Sequence, residues 1–165
     1  MSHVFLISDT HFSHANILKF VGQDGNPIRP FSSVEEMDEH MIEKWNSVVK
    51  EGDKTYHLGD VVIHKRALPI LARLNGRKTL IQGNHDIFDT KEYLKYFKNV
   101  RSYRVLDQFI ASHVPVHPDS LGRFKANVHG HLHGRNLGDS RYINISVEQT
   151  DYTPVELSVL IERIK

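Results

Sequence analysis

The stretch VFLISDTH, residues 4–11, joins an apolar run directly to polar residues. A short apolar run followed by such residues predicts a buried strand, here Val4–Ser8. Asp9 and His11 stand two positions apart, so their side chains point the same way on an extended segment. Carboxylate and imidazole groups are common metal ligands. The segment therefore predicts both part of a sheet and a ligand site at the edge of that sheet.

The same arrangement recurs along the chain, because further strand-like runs also end in residues that can bind metal. Tyr56–Leu58 precedes Gly59-Asp60, Leu80–Gln82 precedes Gly83-Asn84-His85-Asp86, Phe109–Ser112 precedes His113, and Asn127–Val128 precedes His129-Gly130-His131-Leu132-His133. In layered α/β folds, ligands bind at the carboxyl ends of the strands. We therefore expect these distant side chains to converge at one edge of the sheet.

Helical patterns alternate with these strands, which predicts α/β layering with a mixed sheet. Ser33 and Glu36 form a capping-box pattern in front of a predicted helix, Val34–Lys50. Other predicted helices are Lys65–Leu74, Thr90–Phe97 and Val155–Ile164, and other predicted strands are Thr55–Leu58, Lys78–Gln82, Val100–Leu106, Gln108–Ser112, Asn127–His129 and Tyr142–Val147. The stretch Phe20–Ser32 contains glycines and prolines and predicts a long loop, more typical of a plain surface crossing than of a site.

Composition narrows the class of protein. The 165 residues, 39% hydrophobic and 25% charged, predict a single globular domain over residues 1–165. A formal net charge of +1 predicts no strong attraction to nucleic acid or membrane. The absence of cysteine excludes disulfides and thiolate metal sites. No apolar run near the N-terminus is long enough for a signal peptide or membrane span, so we expect a cytoplasmic protein.

The set Asp9-x-His11, Gly59-Asp60, Gly83-Asn84-His85-Asp86, His113 and Gly130-His131-x-His133 resembles, in order, the motifs of the calcineurin-like metallophosphoesterase superfamily. The opening SDTHFSHANI is similar to the compact bacterial and phage branch of predicted phosphoesterases. The resemblance spans positions 9 to 133 and implies a four-layer α/β/β/α sandwich of two mixed β-sheets flanked by helices. Larger members often carry an Arg or Asp soon after the Gly-Asp motif, whereas Val61-Val62-Ile63-His64 follows it here.

The resemblance also implies roles for single residues. One divalent ion would be held by Asp9, His11, Asp60 and His133, and the other by Asp60, Asn84, His113 and His131. Asp60 would bridge the two ions, and His85 would contact the substrate phosphate or protonate the leaving oxygen. Mixed oxygen and nitrogen donors suit Mn, Fe, Zn, Ni or Co, with Mn favoured. The implied activity is hydrolysis of phosphate mono- or diesters by a metal-bridging hydroxide.

Alternatives remain open. The same site would also serve a nuclease or a cyclic-nucleotide phosphodiesterase, with a nucleotide or nucleic acid as substrate, and a non-catalytic scaffold is a third hypothesis. The oligomeric state stays undetermined. Lysines, arginines and aromatic residues alternate over 91–104, which favours an amphipathic helix over a nucleic-acid surface.

Several further residues have a structural and a functional interpretation. Asp86 is interpreted as an orienting residue or cap, and His57 as a core residue. Three cations could contact the substrate phosphate, although we favour an exposed position for each: Arg29, Lys125 and Arg135. Three histidines are candidates near the site without an assigned role: His14, His64 and His129. Three more are predicted at the surface: His3, His40 and His117.

Overall fold

The computed structural model describes residues 2–165, which form two mixed β-sheets and few helices. The strands are β1 Val4–Ile7, β2 Lys54–His57, β3 Arg77–Ile81, β4 Asn99–Arg101, β5 Tyr103–Leu106, β6 Phe109–Ser112, β7 Ala126–His129, β8 Tyr142–Asn144 and β9 Val155–Glu156; the α-helices are α1 Val34–Val48, α2 Thr90–Tyr93 and α3 Leu157–Glu162. Short 3₁₀ segments cover Ala15–Lys19, Lys65–Arg73, Pro118–Ser120 and Val147–Gln149. This architecture confirms the predicted mixed α/β class.

Both sheets are mostly parallel and each has one antiparallel edge. The first sheet has the order β4-β3-β2-β1-β9, in which only β9 runs against its neighbour. The second has the order β5-β6-β7-β8, with β5 antiparallel to β6. In each parallel set the carboxyl ends of the strands point to one edge, so the polar residues that follow them meet there.

Two apolar clusters hold these layers together. Leu6, Leu58 and Ile81 of the first sheet pack in one cluster with Phe109 and Val128 of the second, so the sheets face each other. The opposite face of the first sheet carries a second cluster, formed with α1 and the Lys65–Arg73 segment. Burial of apolar surface stabilises such clusters by roughly 25 cal/mol per Å² removed from water.

Helix α1 begins where the sequence predicts, although its cap differs in detail. The Ser33 side chain accepts a hydrogen bond from the backbone N–H of Glu36 at 3.1 Å. The Glu36 carboxylate, however, accepts from Ser32 rather than from Ser33. The predicted reciprocal capping box is therefore wrong in its second half, because Ser32 offers both an N–H and a hydroxyl to the same carboxylate.

Several predicted elements are shorter or divided. The predicted strand Val100–Leu106 is two strands, β4 and β5, that lie in different sheets. Two adjacent polar residues, Arg101 and Ser102, interrupt the alternation, but a single interruption does not show that the chain changes sheet. The helix predicted over 91–104 is also wrong, since only α2 is α-helical there. Both errors arise because the hydrogen-bonding partners are distant in sequence.

Two other predicted helices are modified by their surroundings. Lys65–Leu74 forms 3₁₀ turns instead of an α-helix, and Pro69 inside it has no N–H for a helical hydrogen bond. The predicted helix Val155–Ile164 begins two residues later, because Val155–Glu156 pairs with β1 at the edge of the first sheet.

Candidate metal centre

The structure brings the polar residues at the strand ends together in two adjacent groups. Within each group the potential ligand atoms all lie within 4.8 Å of one another. One group is Asp9, His11 and His133, and the other is Asp60, His113 and His131. These residues come from loops after β1, β2, β6 and β7, so both sheets contribute to one site.

Asp60 lies between the two groups. Its Oδ2 atom is 3.6 Å from Nε2 of His11 in the first group and 3.4 Å from Nε2 of His113 in the second. Asn84 completes the second group, because its Oδ1 lies 2.9 Å from Nε2 of His113 and 2.9 Å from Nδ1 of His131. In the first group, Asp9 Oδ1 is 3.6 Å from Nε2 of His133.

The electron lone pairs in this site face one another, which fits a cation. The ring Nδ1 of His113 contacts the carbonyl oxygen of Leu58 at 2.7 Å and must carry the proton there. In the neutral ring, Nε2 then presents a lone pair to the oxygens of Asp60 and Asn84. Buried acceptors that face acceptors are costly unless a positive charge lies between them. The donor set therefore fits divalent ions that accept oxygen and nitrogen ligands.

Unpartnered atoms in the first group support the same conclusion. Among the described residues, Oδ1 of Asp9 and both ring nitrogens of His11 are buried without a hydrogen-bond partner. Burial by itself acts to raise the pKa of Asp9, but His11, His113 and His133 hold it well below its usual range. Burial also opposes protonation of His113, whereas Asp60 and Asp9 raise its pKa. The site thus favours positive charge.

The backbone around the site is held in an unusual conformation. Asp9, His11, Asp60, His131 and His133 all have positive φ, between 47° and 67°. Non-glycine residues rarely adopt this region, and such strain concentrates at functional sites. Gly130 allows the closest approach, because a Cβ there would lie 2.0 Å from Oγ of Ser8. The strain and the close packing place the ligand atoms where the strands alone would not.

His57 links the loops after β1 and β2. Its Nδ1 accepts a hydrogen bond from the N–H of Gly59 at 3.1 Å, so its Nε2 donates to Oγ1 of Thr10 at 2.9 Å. Thr10 in turn donates to the carbonyl of Val61. The interpretation of His57 as a core residue is confirmed, since it is fully buried.

We expect His57 to make the metal-free protein sensitive to acid. Burial lowers the pKa of His57 to about 3. Above pH ~6.5 neither the folded nor the unfolded state protonates this ring. Below that pH the unfolded chain binds a proton at this ring, whereas the folded chain does so only near pH ~3. The free energy of unfolding therefore falls by at most about 1.4 kcal/mol per pH unit between pH ~6.5 and pH ~3. Urea unfolding at pH 7 and pH 5 should show a difference of about 2 kcal/mol from this group.

A matched pair of variants isolates that contribution. His57→Gln should be less stable than the parent at pH 7 but should lose less stability on acidification. His117→Gln, which changes an exposed histidine, should keep the parental pH dependence. Equal pH dependence in both variants would contradict the role given to His57.

His85 and Asp86 follow Asn84 and differ in their surroundings. Asp86 is buried and its carboxylate accepts from the backbone N–H groups of Asp60, Val61 and Gly83 at 2.8, 3.0 and 2.8 Å. It therefore orients the loop that carries Asp60, as predicted. His85 is exposed, its backbone N–H donates to Oδ1 of Asp60 at 2.9 Å, and its ring centroid is 5.8 Å from that of His11.

Arg29 and Glu148 form a buried pair behind the first group. The exposed position favoured for Arg29 is wrong: it is fully buried, and it donates to the backbone carbonyls of Asp9 and Thr10 and to Oε1 of Glu148 at 2.8 Å. The same Oε1 lies 2.9 Å from Nδ1 of His133. Glu148 therefore fixes the protonated nitrogen of His133 and leaves Nε2 directed at Asp9.

Glu148 is a functional candidate that the sequence does not reveal. It lies in a short 3₁₀ segment after β8, where no motif surrounds it. The clustering of glycines and prolines around Arg29 indicates a loop, and the length of that loop does not show that Arg29 is directed inward. Arg29 and Glu148 meet because two distant loops pack against each other, which the sequence alone does not show.

We expect Glu148→Gln to weaken metal binding about 10- to 100-fold, the usual effect of losing an outer carboxylate that orients a ligating histidine. The amide removes the charge that holds both Arg29 and His133. Isothermal titration with Mn²⁺ measures the affinity, and circular dichroism checks folding. Glu162→Gln, which alters an exposed carboxylate, is the control and should bind like the parent. Parental affinity in Glu148→Gln would contradict this orienting role.

The remaining histidines and cations singled out in the sequence differ in burial and in their distance from the candidate metal centre. The ring of His14 is 5.5 Å from that of His11, and burial lowers the pKa of His14 to about 4. His129 is buried, with Nδ1 donating to the carbonyl of Gly130 at 2.8 Å. His64, Lys125 and Arg135 are exposed. His3 and His117 are exposed and His40 is partly exposed, which broadly confirms their predicted surface positions.

Fold and site together define a class: a two-sheet mixed α/β protein with adjacent clusters of metal-capable side chains at the strand ends. Within that class, the chain belongs to the family of the uncharacterized protein MJ1445 of Methanocaldococcus jannaschii. The two are 36% identical over 180 aligned positions, which cover 100% of this chain and 93% of that protein. No model of a known protein family matches the chain.

Two further proteins are similar to this chain, one in sequence and one in structure. The gene 66 protein of Mycobacterium phage L5 is 35% identical over 94 residues, covering 52% of this chain and 41% of that protein. A crystal structure of the protein of unknown function AQ665 from Aquifex aeolicus superposes with a TM-score of 0.75 and 28% identity, over 98% of this chain and 99% of that one.

Among residues 2–165, no helix combines the length and apolar character that a membrane crossing requires.

Proposed function

We propose that the chain is a metal-dependent phosphoesterase of the calcineurin-like metallophosphoesterase superfamily, with two divalent ions, Mn favoured. One observation carries the proposal: side chains from both sheets converge so that carboxylate, amide and imidazole lone pairs face each other with Asp60 between two groups. The two mixed sheets, packed face to face with helices on the outer face of the first, support three of the four layers that the superfamily resemblance implies.

These contacts support the following ligand sets. Asp9, His11, Asp60 and His133 would hold one ion, and Asp60, Asn84, His113 and His131 the other. When bound, the ions would supply positive charge to the phosphate and make water more acidic near neutral pH. The two carboxylates only partly offset the four positive charges of two divalent ions, so the site would stay attractive to a phosphate.

The remaining steps belong to the side chains. His85 is exposed at the rim beside His11, and among the described residues its ring makes no hydrogen bond that would occupy it. A ring nitrogen of His85 would donate its proton to the leaving oxygen as the ester bond breaks. Asp86 holds the loop of Asp60, and Arg29 with Glu148 orients His133, so these residues position the ligands and do not contact substrate.

The shape around the site favours an open substrate approach. One shallow cavity of about 400 Å³ borders Leu132, Arg135 and Asn136. Another of about 340 Å³ borders Asn84, Ser102 and His113. Space on both sides of the centre suits a phosphate ester with two substituents. This space is the observation that favours a phosphodiesterase or nuclease as the second candidate.

Turnover of p-nitrophenyl phosphate and bis-p-nitrophenyl phosphate tests the proposal in metal-free protein and after addition of Mn²⁺, Zn²⁺ or Ni²⁺. We expect hydrolysis that depends on added metal, and preference for the diester would favour the second candidate. A short single-stranded DNA and RNA series then separates a nuclease from a small-molecule esterase. Binding of metal without turnover of any ester would favour a non-catalytic scaffold and contradict the enzyme assignment.

A further inference from the structure

A further polar cavity lies at the opposite end of the first sheet. It measures about 180 Å³ and is lined by Lys54 and Tyr56 of β2, Arg77 and Thr79 of β3, and Lys98 with Asn99 at β4. These positions begin their strands, whereas the candidate metal centre follows the strand ends. From Lys54 to Asp60 the separation is about 15–20 Å at the usual rise of an extended chain. The cavity is therefore distinct from that centre.

The cavity interrupts a face that is otherwise apolar. Side chains alternate along a strand, so Lys54 and Tyr56 share a face with buried Leu58. Arg77 and Thr79 likewise share a face with buried Ile81. Leu58 and Ile81 belong to the cluster between the sheets, and Tyr56 packs against it. At this end of the sheet Lys54 and Arg77 are exposed, so the apolar face gives way to a charged surface that solvent can reach.

The three cations of the cavity have no anionic partner. Lys54 and Arg77 are direct neighbours in the register of β2 and β3, and the backbone N–H of Lys98 donates to Lys78 on β3. Within residues 2–165, none of the three forms an ion pair. Like charges gathered at a cavity indicate a site for an anion.

We propose that this cavity binds a small phosphate-bearing anion. Arginine and lysine with the Tyr56 and Thr79 hydroxyls provide donors and no carboxylate, which matches phosphate oxygens. The volume of about 180 Å³ is below the ~300–1,000 Å³ of typical small-molecule sites. Inorganic phosphate or the pyrophosphate end of a larger molecule therefore fits, and a whole nucleotide would leave its base outside. This proposal does not depend on the function proposed for the metal centre.

Amide NMR of the ¹⁵N-labelled full chain tests it, because each location reports separately. Sodium phosphate and pyrophosphate are titrated at constant ionic strength, with sodium chloride as reference. We expect saturable shifts at the amides of Lys54, Arg77 and Thr79. Arg77→Gln should weaken this binding about tenfold or more, the usual effect of losing a charged hydrogen bond. Lys91→Gln removes an exposed cation outside the cavity and should leave it unchanged.

Three results would overturn the proposal. One is that chloride produces the same shifts, which would reveal general screening. Another is that Lys91→Gln weakens binding as much as Arg77→Gln does. The third is that a single-stranded oligonucleotide shifts the amides of Arg101 and Arg104 together with the cavity and binds more tightly than pyrophosphate. That last result would identify a nucleic-acid surface in place of a small-anion site.

Discussion

Replacing Asp60 by asparagine is expected to remove metal and activity together. Oδ2 of Asp60 lies within 3.6 Å of a histidine nitrogen in each group, so this one carboxylate serves both. An amide cannot supply the charge that two cations share. Losing several kcal/mol of metal-dependent stabilisation of the transition state lowers turnover about 10³-fold or more. Metal content by elemental analysis and kcat/KM on an aryl phosphate ester measure the two effects.

The control for Asp60 is a carboxylate of the same type that lies outside the site. Asp139 pairs with Arg141 at the surface, so Asp139→Asn should retain both metal and turnover. Circular dichroism confirms that Asp60→Asn still folds. If folded Asp60→Asn binds two ions and hydrolyses as fast as the parent, the bridging assignment is wrong.

His85→Ala is expected to separate catalysis from metal binding. The His85 ring lies beside the ligands, and only its backbone contacts Asp60. Metal content should therefore stay at the parental level, whereas turnover falls about 10²- to 10⁴-fold, the usual contribution of a general acid. The loss should be larger for alkyl esters than for p-nitrophenyl esters, because a good leaving group needs less proton donation.

The dependence on leaving group distinguishes proton donation from simple phosphate binding. If His85 only binds phosphate, alkyl and aryl esters should lose turnover equally. His64→Ala, at an exposed histidine on the neighbouring loop, provides the matched control and should keep parental rates. Parental turnover of alkyl esters by His85→Ala would contradict the assigned role.

The sequence predicts the convergence of the site better than it predicts the elements that surround it. Asp9, Asn84 and His131 each follow an apolar strand, and parallel strands bring their ends to one edge whatever their exact length. The division of Val100–Leu106 between two sheets is not evident from the sequence, because the strand-like residues on either side of Ser102 would suit either sheet. Pairing of Val155–Glu156 with β1 likewise depends on an edge that only the folded sheet provides.

Residues that orient the ligands are the least predictable part of the site. Arg29 and Glu148 are 119 positions apart and meet only because two irregular segments pack over the first group. Neither stands in a motif, and each alone has the character of an exposed charge. A buried ion pair is costly to form, and removing one partner typically destabilises a protein by about 3–5 kcal/mol. Its presence behind His133 therefore indicates a role that sequence spacing does not display.

Anomalous diffraction from crystals grown with Mn²⁺ tests most directly whether the strand-end side chains share a pair of cations. We predict two anomalous peaks at the edge where the carboxyl ends of both sheets meet. One peak should lie within ligand distance of Asp9, His11 and His133, and the second within ligand distance of Asn84, His113 and His131. Asp60 should contact both. A protein that retains turnover in such crystals while these side chains contact no anomalous peak would contradict the account.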